Sequence, residues 1–497
     1  MKEWGRKEKK KFYLTTPIYY INAPPHVGHA YTTIIADVLA RWHRLAGKKV
    51  FFLTGLDENS AKTVEGAKSF GFKDIQKYTD WMAEKWKKTW KALEISNDGF
   101  IRTTEERHKK FVESFFIKVY EREDVYKGKY VGLYCDGCEA FVKESELVDG
   151  KCPLHKKVPK QIEEENYFFK LSRFRDKILE YVEKNPDFIQ PESRRNEVIS
   201  FLRRGLEDIS ISRPGLEWGI RLPINKSHFF WVWFDALLNY LSGVEEGYWP
   251  ADLHLIAKDI LRFHCIIFPA MLMSAGYALP KKIFVHGFLT IEGQKISKSL
   301  GNVIDPLYLA KEYSADALRY LLIREVPLGQ DGDFSEGVLR RRFNDELADI
   351  FGNFVHRTLS FIWKNFDGRV PDGKLDKDLE RKIREKVRKI EELVEQLKLK
   401  EALDEAISIA RLGNEYFQSR EPWRTIKEEG KAKDCIFNCI NLVKILCVLL
   451  YPFIPVACSN LAEQINLKIE SLEQVRSFDL KKGHPIKKPA ILFRKVS

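Results

Sequence analysis

A chain of 497 residues is too long for one ordinary core and is expected to form two to four domains. With 44% hydrophobic and 31% charged residues, its composition is globular and excludes a disordered chain. The formal net charge of +12 points to a polyanionic partner, nucleic acid first.

The N-terminal run MKEWGRKEKKK is basic but has no apolar stretch behind it, so a signal peptide is not expected and the cytoplasm is the default location. Phe12 to Tyr20 is aromatic and β-branched and ends at prolines, which predicts a strand. From Val27, the apolar positions Ala30, Ile34, Val38, Trp42 and Leu45 recur in steps of three and four, predicting a helix stopped by Gly47. Val50 to Thr54 reads as a second buried strand, completing a βαβ opening. Helices are expected near 73–96 and 104–123, short strands and turns over 125–170, and helix again over 172–205. Leu253 to Ala257 followed by a helix from about Ile260, then a strand at Ile283 to Thr290, repeats the strand-and-helix pattern. Beyond Ser299, the segments 336–365, 376–397, 401–418 and 430–450 have helical spacing and Lys/Glu faces, which predicts a bundle. Residues 440–456 are the most apolar run, but Lys444, Pro452 and Pro455 interrupt it short of the ~20 clean residues of a membrane span. A buried bundle helix is expected there. Residues 481–497 are basic without one acid, and a frayed tail, an RNA contact and a docking strand all remain open.

Two strings suggest nucleotide chemistry. In Ala23-Pro24-Pro25-His26-Val27-Gly28-His29, two histidines open a helix where free amides favour an anion. Gly28 allows close backbone approach to a phosphate, and His26 and His29 can donate to phosphoryl oxygens as charge builds. Far downstream, Lys295-Ile296-Ser297-Lys298-Ser299 lies on a glycine-flanked loop, where its lysines can neutralise β- and γ-phosphates. Together the strings can hold a triphosphate from both ends.

The eight cysteines of so long a chain do not form a secreted disulfide framework. Cys135-x2-Cys138 and Cys152-x2-His155 have the spacing of two knuckles around one tetrahedral zinc, structural rather than catalytic. Cys265, Cys435, Cys439, Cys447 and Cys458 sit in apolar helical surroundings and are expected to be small buried hydrophobes.

The paired strings resemble the signatures of class I aminoacyl-tRNA synthetases. TTPIYYINAPPHVGH, FLTGLDENSAKT, FFWVWFDALLNYLS and AKDILRFH narrow the resemblance to the methionine-specific family, over essentially the whole chain. The resemblance implies that Asp57 holds the substrate ammonium, and that Ile18, Tyr20, Trp233, Ala236, Leu237, Tyr240, Ile260 and His264 line a methionine pocket. A thioether suits such an aromatic and aliphatic wall. It also implies an ATP site of Gly28, His26, His29, Asp259, Lys295, Ser297 and Lys298, and a CAU anticodon reader of Asn353, Arg357 and Trp423. The family pattern has His-Gly where this chain has Asn59-Ser60, Pro in place of Leu237, and often Gly in place of Ala257.

The expected architecture is an α/β, Rossmann-like class I catalytic domain in two halves, 1–118 and 223–290, split by an inserted connective zinc domain at 119–222. Residues 291–345 carry the KISKS loop and a stem-contact region, 346–480 an all-α anticodon-binding bundle, and 481–497 the basic tail. The implied reaction is ATP-dependent activation of methionine, then transfer to the terminal adenosine of tRNA(Met), initiator tRNA included, with Mg-ATP as substrate and one structural zinc. Large editing insertions of related synthetases have no room in 497 residues. A separate OB-fold tRNA-binding subunit is a further expected partner, as in a split enzyme; a monomer is the alternative.

Overall fold

The computed structural model describes residues 10–496 except 138, 139, 143, 155, 297–300 and 429. Its centre is a six-stranded parallel sheet in the order Gly99–Arg102, Lys49–Asp57, Lys11–Tyr20, Leu253–Ala257, Ile283–His286 and Ile189–Gln190. Both faces are covered, so the strands are near-continuous apolar runs rather than alternating ones. Phe51, Phe52, Leu53 and Leu56 are all buried, for example. Pro17 cannot donate to the ladder, and the pairing of the first two strands shifts register between Thr15 and Ile18. The chain order reverses between Lys11–Tyr20 and Leu253–Ala257. In an open α/β sheet, the crevice at the carboxyl ends of such strands is where a ligand binds.

The first helix, Val27–Leu45, packs Ile34, Val38, Leu39 and Trp42 into the core. Gly47 follows it with φ +82°, a conformation suited to glycine. Helix Ala61–Ser69, after the second strand, has no counterpart in the sequence reading. Its early departure from a run of buried polar residues hides the amphipathic signal.

Between the sheet halves, Val125–Cys135 and Lys160–Phe169 pair antiparallel along ten positions. They are flanked by Ala140–Val142 and Ile209–Ser210. The helix expected over 172–205 is instead two, Arg175–Lys184 and Glu192–Arg203. Pro186 and Pro191 break it, and Ile189–Gln190 between them becomes the edge strand of the central sheet. The segment read as an insertion therefore also contributes to the main sheet.

The C-terminal part is helical. Glu336–Arg342, a π-helical stretch Phe343–Gly352 and Asn353–Asn365 run on continuously, followed by Lys377–Glu395, Leu399–Arg420, Lys431–Leu450 and Pro455–Gln464. The apolar run is a buried bundle helix, as expected. Its one cation, Lys444, is 1% exposed and donates to the Ser477 carbonyl at 2.7 Å and to Asp479. Among the described residues, no helix is long and apolar enough to cross a membrane. The five cysteines outside the knuckle are buried thiols.

The basic tail docks. Gly483 and Ile486 amides donate to Val370 and Gly368, and the Val370 amide donates to His484. Phe493 packs edge-on against Phe343 at 5.7 Å, and Asn344 exchanges two hydrogen bonds with the Val496 backbone.

Behind the site, Asp37 and Arg319 are wholly buried and 2.7 Å apart. Arg319 also donates to the carbonyls of Leu93, Pro452 and Phe453, joining the first helix to the bundle. Burial alone would raise the Asp37 carboxyl; Arg319, Arg41 and two bonds from Ser96 more than offset it, so it stays ionised with a lowered pKa.

Candidate active site

A cavity of about 460 Å³ opens at the carboxyl ends of the central strands. Tyr20, Asp57, Ala257 and His286 are each the last residue of their strand, and all four line it. This is the crevice that the strand order predicts.

At its mouth, His26 caps the first helix. Its Nδ1 accepts the Gly28 amide at 3.1 Å, while its own amide donates to His29 Nδ1 at 3.1 Å. The rings stack at 3.7 Å. Both Nδ1 atoms act as acceptors of a backbone amide, so each ring carries a proton on Nε2. Loss of hydration, with His26 alongside, holds the His29 pKa well below the ordinary histidine range. His29 also leans on Tyr19 and Trp86, at 5.1 and 5.0 Å. Gly28 is needed sterically: a Cβ there would meet the His26 ring at 2.9 Å.

Deeper in, Ile18, Tyr20, Trp233, Ala236, Leu237, Tyr240, Ile260 and His264 share the wall, and Asp57 and Asp259 also face the cavity. Trp233 stacks face to face on Phe263 at 3.8 Å. Tyr240 and His264 are fixed together. His264 Nδ1 donates to the Ile260 carbonyl at 3.0 Å, so its Nε2 accepts the Tyr240 hydroxyl at 2.7 Å. Burial lowers the His264 pKa to about 4, leaving the ring neutral at pH 7. The π-helical turn Phe263–Ile267 carries this histidine. Such turns recur at functional sites because they re-aim a side chain.

Asp57 is 4% exposed and accepts the Asn59 amide at 3.3 Å. The departure at Asn59 has a structural consequence. Its Nδ2 donates to Asp235 Oδ2 at 2.9 Å and to the Thr103 carbonyl, and Asp235 also meets His108 at 2.6 Å. The turn bearing Asp57 is thereby bolted to the helix bearing Trp233 and Ala236.

The sequence reading missed Tyr31, Thr32 and His286 on the cavity wall. Thr32 donates to His286 Nε2 at 2.8 Å, His286 Nδ1 donates to the Gly287 carbonyl, and burial lowers the His286 pKa to about 4. The expected strand runs on to Thr290 and puts His286 in its middle; the strand in fact ends at His286, which is what brings the ring to the cavity. Lys295 belongs to the short strand Gln294–Lys295, while Ser297 and Lys298 lie outside the described residues. Ile296 lines the cavity beside Gly28.

Comparison with known proteins decides what this cavity belongs to. Residues 12–161 and 135–359 match the family described as tRNA synthetases class I (M), and residues 369–497 match the anticodon binding domain of methionyl tRNA ligase. The chain is 44% identical to the methionine–tRNA ligase of Thermotoga maritima, across 98% of this chain and 80% of that protein. It is also 44% identical to that of Rickettsia conorii, across 97% of this chain and 99% of that one. The methionyl-tRNA synthetase of Mycobacterium tuberculosis in complex with methionyl-adenylate superposes with a TM-score of 0.93 at 38% identity, covering 97% and 99% of the two chains. Its ligand-free form gives 0.86 at 35% identity, covering 99% of each.

The chain belongs to the methionyl class I tRNA synthetases.

In this methionyl synthetase, the bundle residues expected to read RNA form one open face. Asn353 and Arg357 lie one turn apart on helix Asn353–Asn365. The Arg357 guanidinium sits 4.6 Å over Phe417 and 6.0 Å from the ring of Trp423, and it donates to Gln418 at 3.0 Å. Trp423 is 41% exposed and stands outside the core.

The synthetase's cysteine knuckle is described in part. Cys135 and Cys152 are each 1% exposed, in a hairpin region whose Val131, Val148 and Leu154 are open to solvent. The Lys156 amide folds back to the Cys152 carbonyl at 2.7 Å. Cys138 and His155 lie outside the described residues, and among the described residues no group of three or more metal-ligating side chains is present.

Proposed function

We propose the following division of labour for this methionine–tRNA ligase. Methionine enters the aromatic wall of Trp233, Tyr240 and His264, with Ile18, Tyr20, Ala236, Leu237 and Ile260 around its side chain. The neutral, mutually bonded Tyr240–His264 pair offers the thioether a surface with no unmet charge. Asp57 takes the ammonium through a charge-assisted bond. Asp259 and Gly28 border the ATP, and His26 and His29 offer Nε2–H groups to its phosphates. Lys295, Ser297 and Lys298 meet the β- and γ-phosphates.

The methionine carboxylate attacks the α-phosphorus in line, and pyrophosphate leaves. The attacking group is already an anion, so no protein nucleophile or base is needed. Catalysis is positioning plus stabilisation of charge, with Mg²⁺ arriving on the nucleotide. A ribose hydroxyl of the terminal adenosine of tRNA then takes the methionyl group from the adenylate, breaking the acyl–phosphate bond and releasing AMP, while the anticodon bases meet Asn353, Arg357 and Trp423 by edge bonding and stacking.

The observation that carries this reading is the stacked histidine pair at a helix N-terminus, facing Asp57 and an aromatic pocket across one cavity. The greater likeness to the adenylate complex than to the ligand-free form supports an arrangement ready for that intermediate. ATP–pyrophosphate exchange with each amino acid tests it. Exchange with methionine alone is expected; exchange with cysteine and none with methionine overturns it.

Two further parts of the reading are separate proposals. The ligand spacing, with Cys135 and Cys152 both buried beside solvent-exposed Val131, Val148 and Leu154, fits one zinc held by Cys135, Cys138, Cys152 and His155, which would clamp the hairpin without touching substrate. Elemental analysis is expected to find one zinc per chain, and Cys135→Ser with Cys152→Ser to abolish it; a metal-free wild type with full activity removes the proposal. A separate OB-fold tRNA-binding subunit in the cytoplasm rests on the sequence resemblance, and co-purification from native extract tests it. A chain with full tRNA affinity on its own removes the need for it.

A further inference from the structure

The hairpin Leu289–Ile291/Gln294–Lys295 turns through Glu292 and Gly293, with φ of +52° and +74°. Two left-handed residues make the tight turn that suits the twist of paired strands, but Glu292 is strained there. Something outside the turn must hold it. The Gly293 amide donates to Asp333 Oδ1 at 2.8 Å, and the same oxygen accepts the Thr290 hydroxyl at 2.6 Å. Asp333 arrives on the strand Gly332–Phe334, which pairs parallel to Leu289–Ile291 with Asp333 opposite Thr290. One carboxylate oxygen thus ties the tip of the hairpin to its stem.

The base of the hairpin is fixed as firmly. Asp331 accepts the Phe288 amide at 2.8 Å and Lys258 Nζ at 2.6 Å. Gly287 lies so close to this segment that a Cβ would sit 2.2 Å from the Gln330 carbonyl oxygen. The hairpin also reaches the catalytic helix. A Cβ on Gly28 would stand 3.3 Å from Ile296 Cδ1, and the Val27 amide donates to the Ile304 carbonyl at 3.1 Å. Asp333 itself does not line the substrate cavity.

We infer that Asp333 is a positioning residue for adenylate formation. Its carboxylate locks the strained Glu292–Gly293 turn, and the locked turn keeps Ile296 against Gly28 between the two histidines. The residue acts through the hairpin and makes no contact with substrate. The inference rests on the adenylation reading above.

Asp333→Ala, Asp333→Asn and Thr290→Val, assayed by methionine-dependent ATP–pyrophosphate exchange, test it. Asp333→Ala is expected to lower kcat about tenfold while the methionine KM stays within about twofold, because the lost bonds bear on the transition-state arrangement rather than on methionine. Asn keeps an oxygen acceptor without the charge and is expected to recover activity to within about threefold of wild type. Thr290→Val is expected to lose less than Asp333→Ala, and the double variant to be no worse than Asp333→Ala, since both act on one turn. A wild-type kcat in Asp333→Ala, an Asn variant as poor as the Ala variant, or a loss confined to methionine KM overturns the inference. Should Asp333→Ala fail to fold, an undiminished kcat in Thr290→Val overturns it instead. A wild type without methionine-dependent exchange defeats the adenylation reading; an active wild type with an indifferent Asp333→Ala defeats only this inference.

Discussion

The cavity at the strand ends and the open face of the bundle proposed to meet RNA are built on opposite plans. In the cavity wall and just behind it, polar groups are buried in bonded pairs: Tyr240 with His264, Thr32 with His286, Asn59 with Asp235. On the bundle, Arg357 and Trp423 stand at the surface, holding each other loosely over Phe417. A small substrate with one shape and one charge rewards a prebuilt, dry enclosure. Unstacked RNA bases need aromatic and guanidinium surface left open for them. The difference predicts that the two regions can be damaged separately, and also where they cannot.

They cannot be separated at Arg319. Its side chain bonds Asp37 on the histidine-bearing helix and the carbonyls of Pro452 and Phe453 in the bundle. Arg319→Met takes away one of the two cations beside the buried Asp37 carboxylate, which keeps Arg41 and Ser96, and the donor to three buried carbonyls, at a cost of about 3–5 kcal/mol. Thermal unfolding is expected to fall sharply, with exchange and aminoacylation lost together. A variant that keeps its melting temperature refutes this account of the seam.

Acid should strike the cavity and spare the bundle face. His264 titrates at about 4 when folded and near 6.5 when unfolded. Between those values the unfolded chain binds more protons, so stability is complete above pH 6.5 and falls as pH drops towards 4. His264 alone accounts for about 3 kcal/mol of that loss. Asp316, raised by burial to about 6, works the other way over its own range, so the comparison is made between wild type and His264→Gln. The variant is expected to show a shallower fall in urea midpoint from pH 7 to pH 5. Parallel curves refute it.

Asp57 gives the cleanest separation. Asp57→Asn removes the charge opposite the methionine ammonium and is expected to cut kcat/KM for methionine in exchange about a hundredfold. The KM for tRNA should not move.

How much of this could be seen in the chain depends on distance along it. The HVGH helix, the strands beside it and the pocket residues from Trp233 to His264 were legible because a motif or a period keeps them local. Leu237 lines the cavity although the pattern has proline there. The role of Asn59 was not legible, because its partner Asp235 lies 176 residues away. His286 was hidden for the same reason: its bond to Thr32 spans 254 residues. The edge strand Ile189–Gln190 is too short for any period and borrows its identity from Ile283 and Phe284. The tail's charge pattern could not distinguish fraying from docking, since Phe493 finds Phe343 and Phe351 only once the bundle exists.

The smallest expected effect is the most discriminating. Trp423→Ala removes a ring that is 41% exposed and packs at 6.0 Å on Phe417, so little folding stability depends on it. What it would remove is a stacking platform, worth about 1–3 kcal/mol per base. Aminoacylation kcat/KM for tRNA(Met) is therefore expected to fall about tenfold or more, with ATP–pyrophosphate exchange and the melting temperature unchanged. Trp423→Phe should recover most of the loss, because a smaller aromatic face still stacks and still sits under the Arg357 guanidinium. If both variants lower exchange as much as aminoacylation, the open face is coupled to the cavity more tightly than their separate construction implies. The Arg319 seam would then be the first place to look.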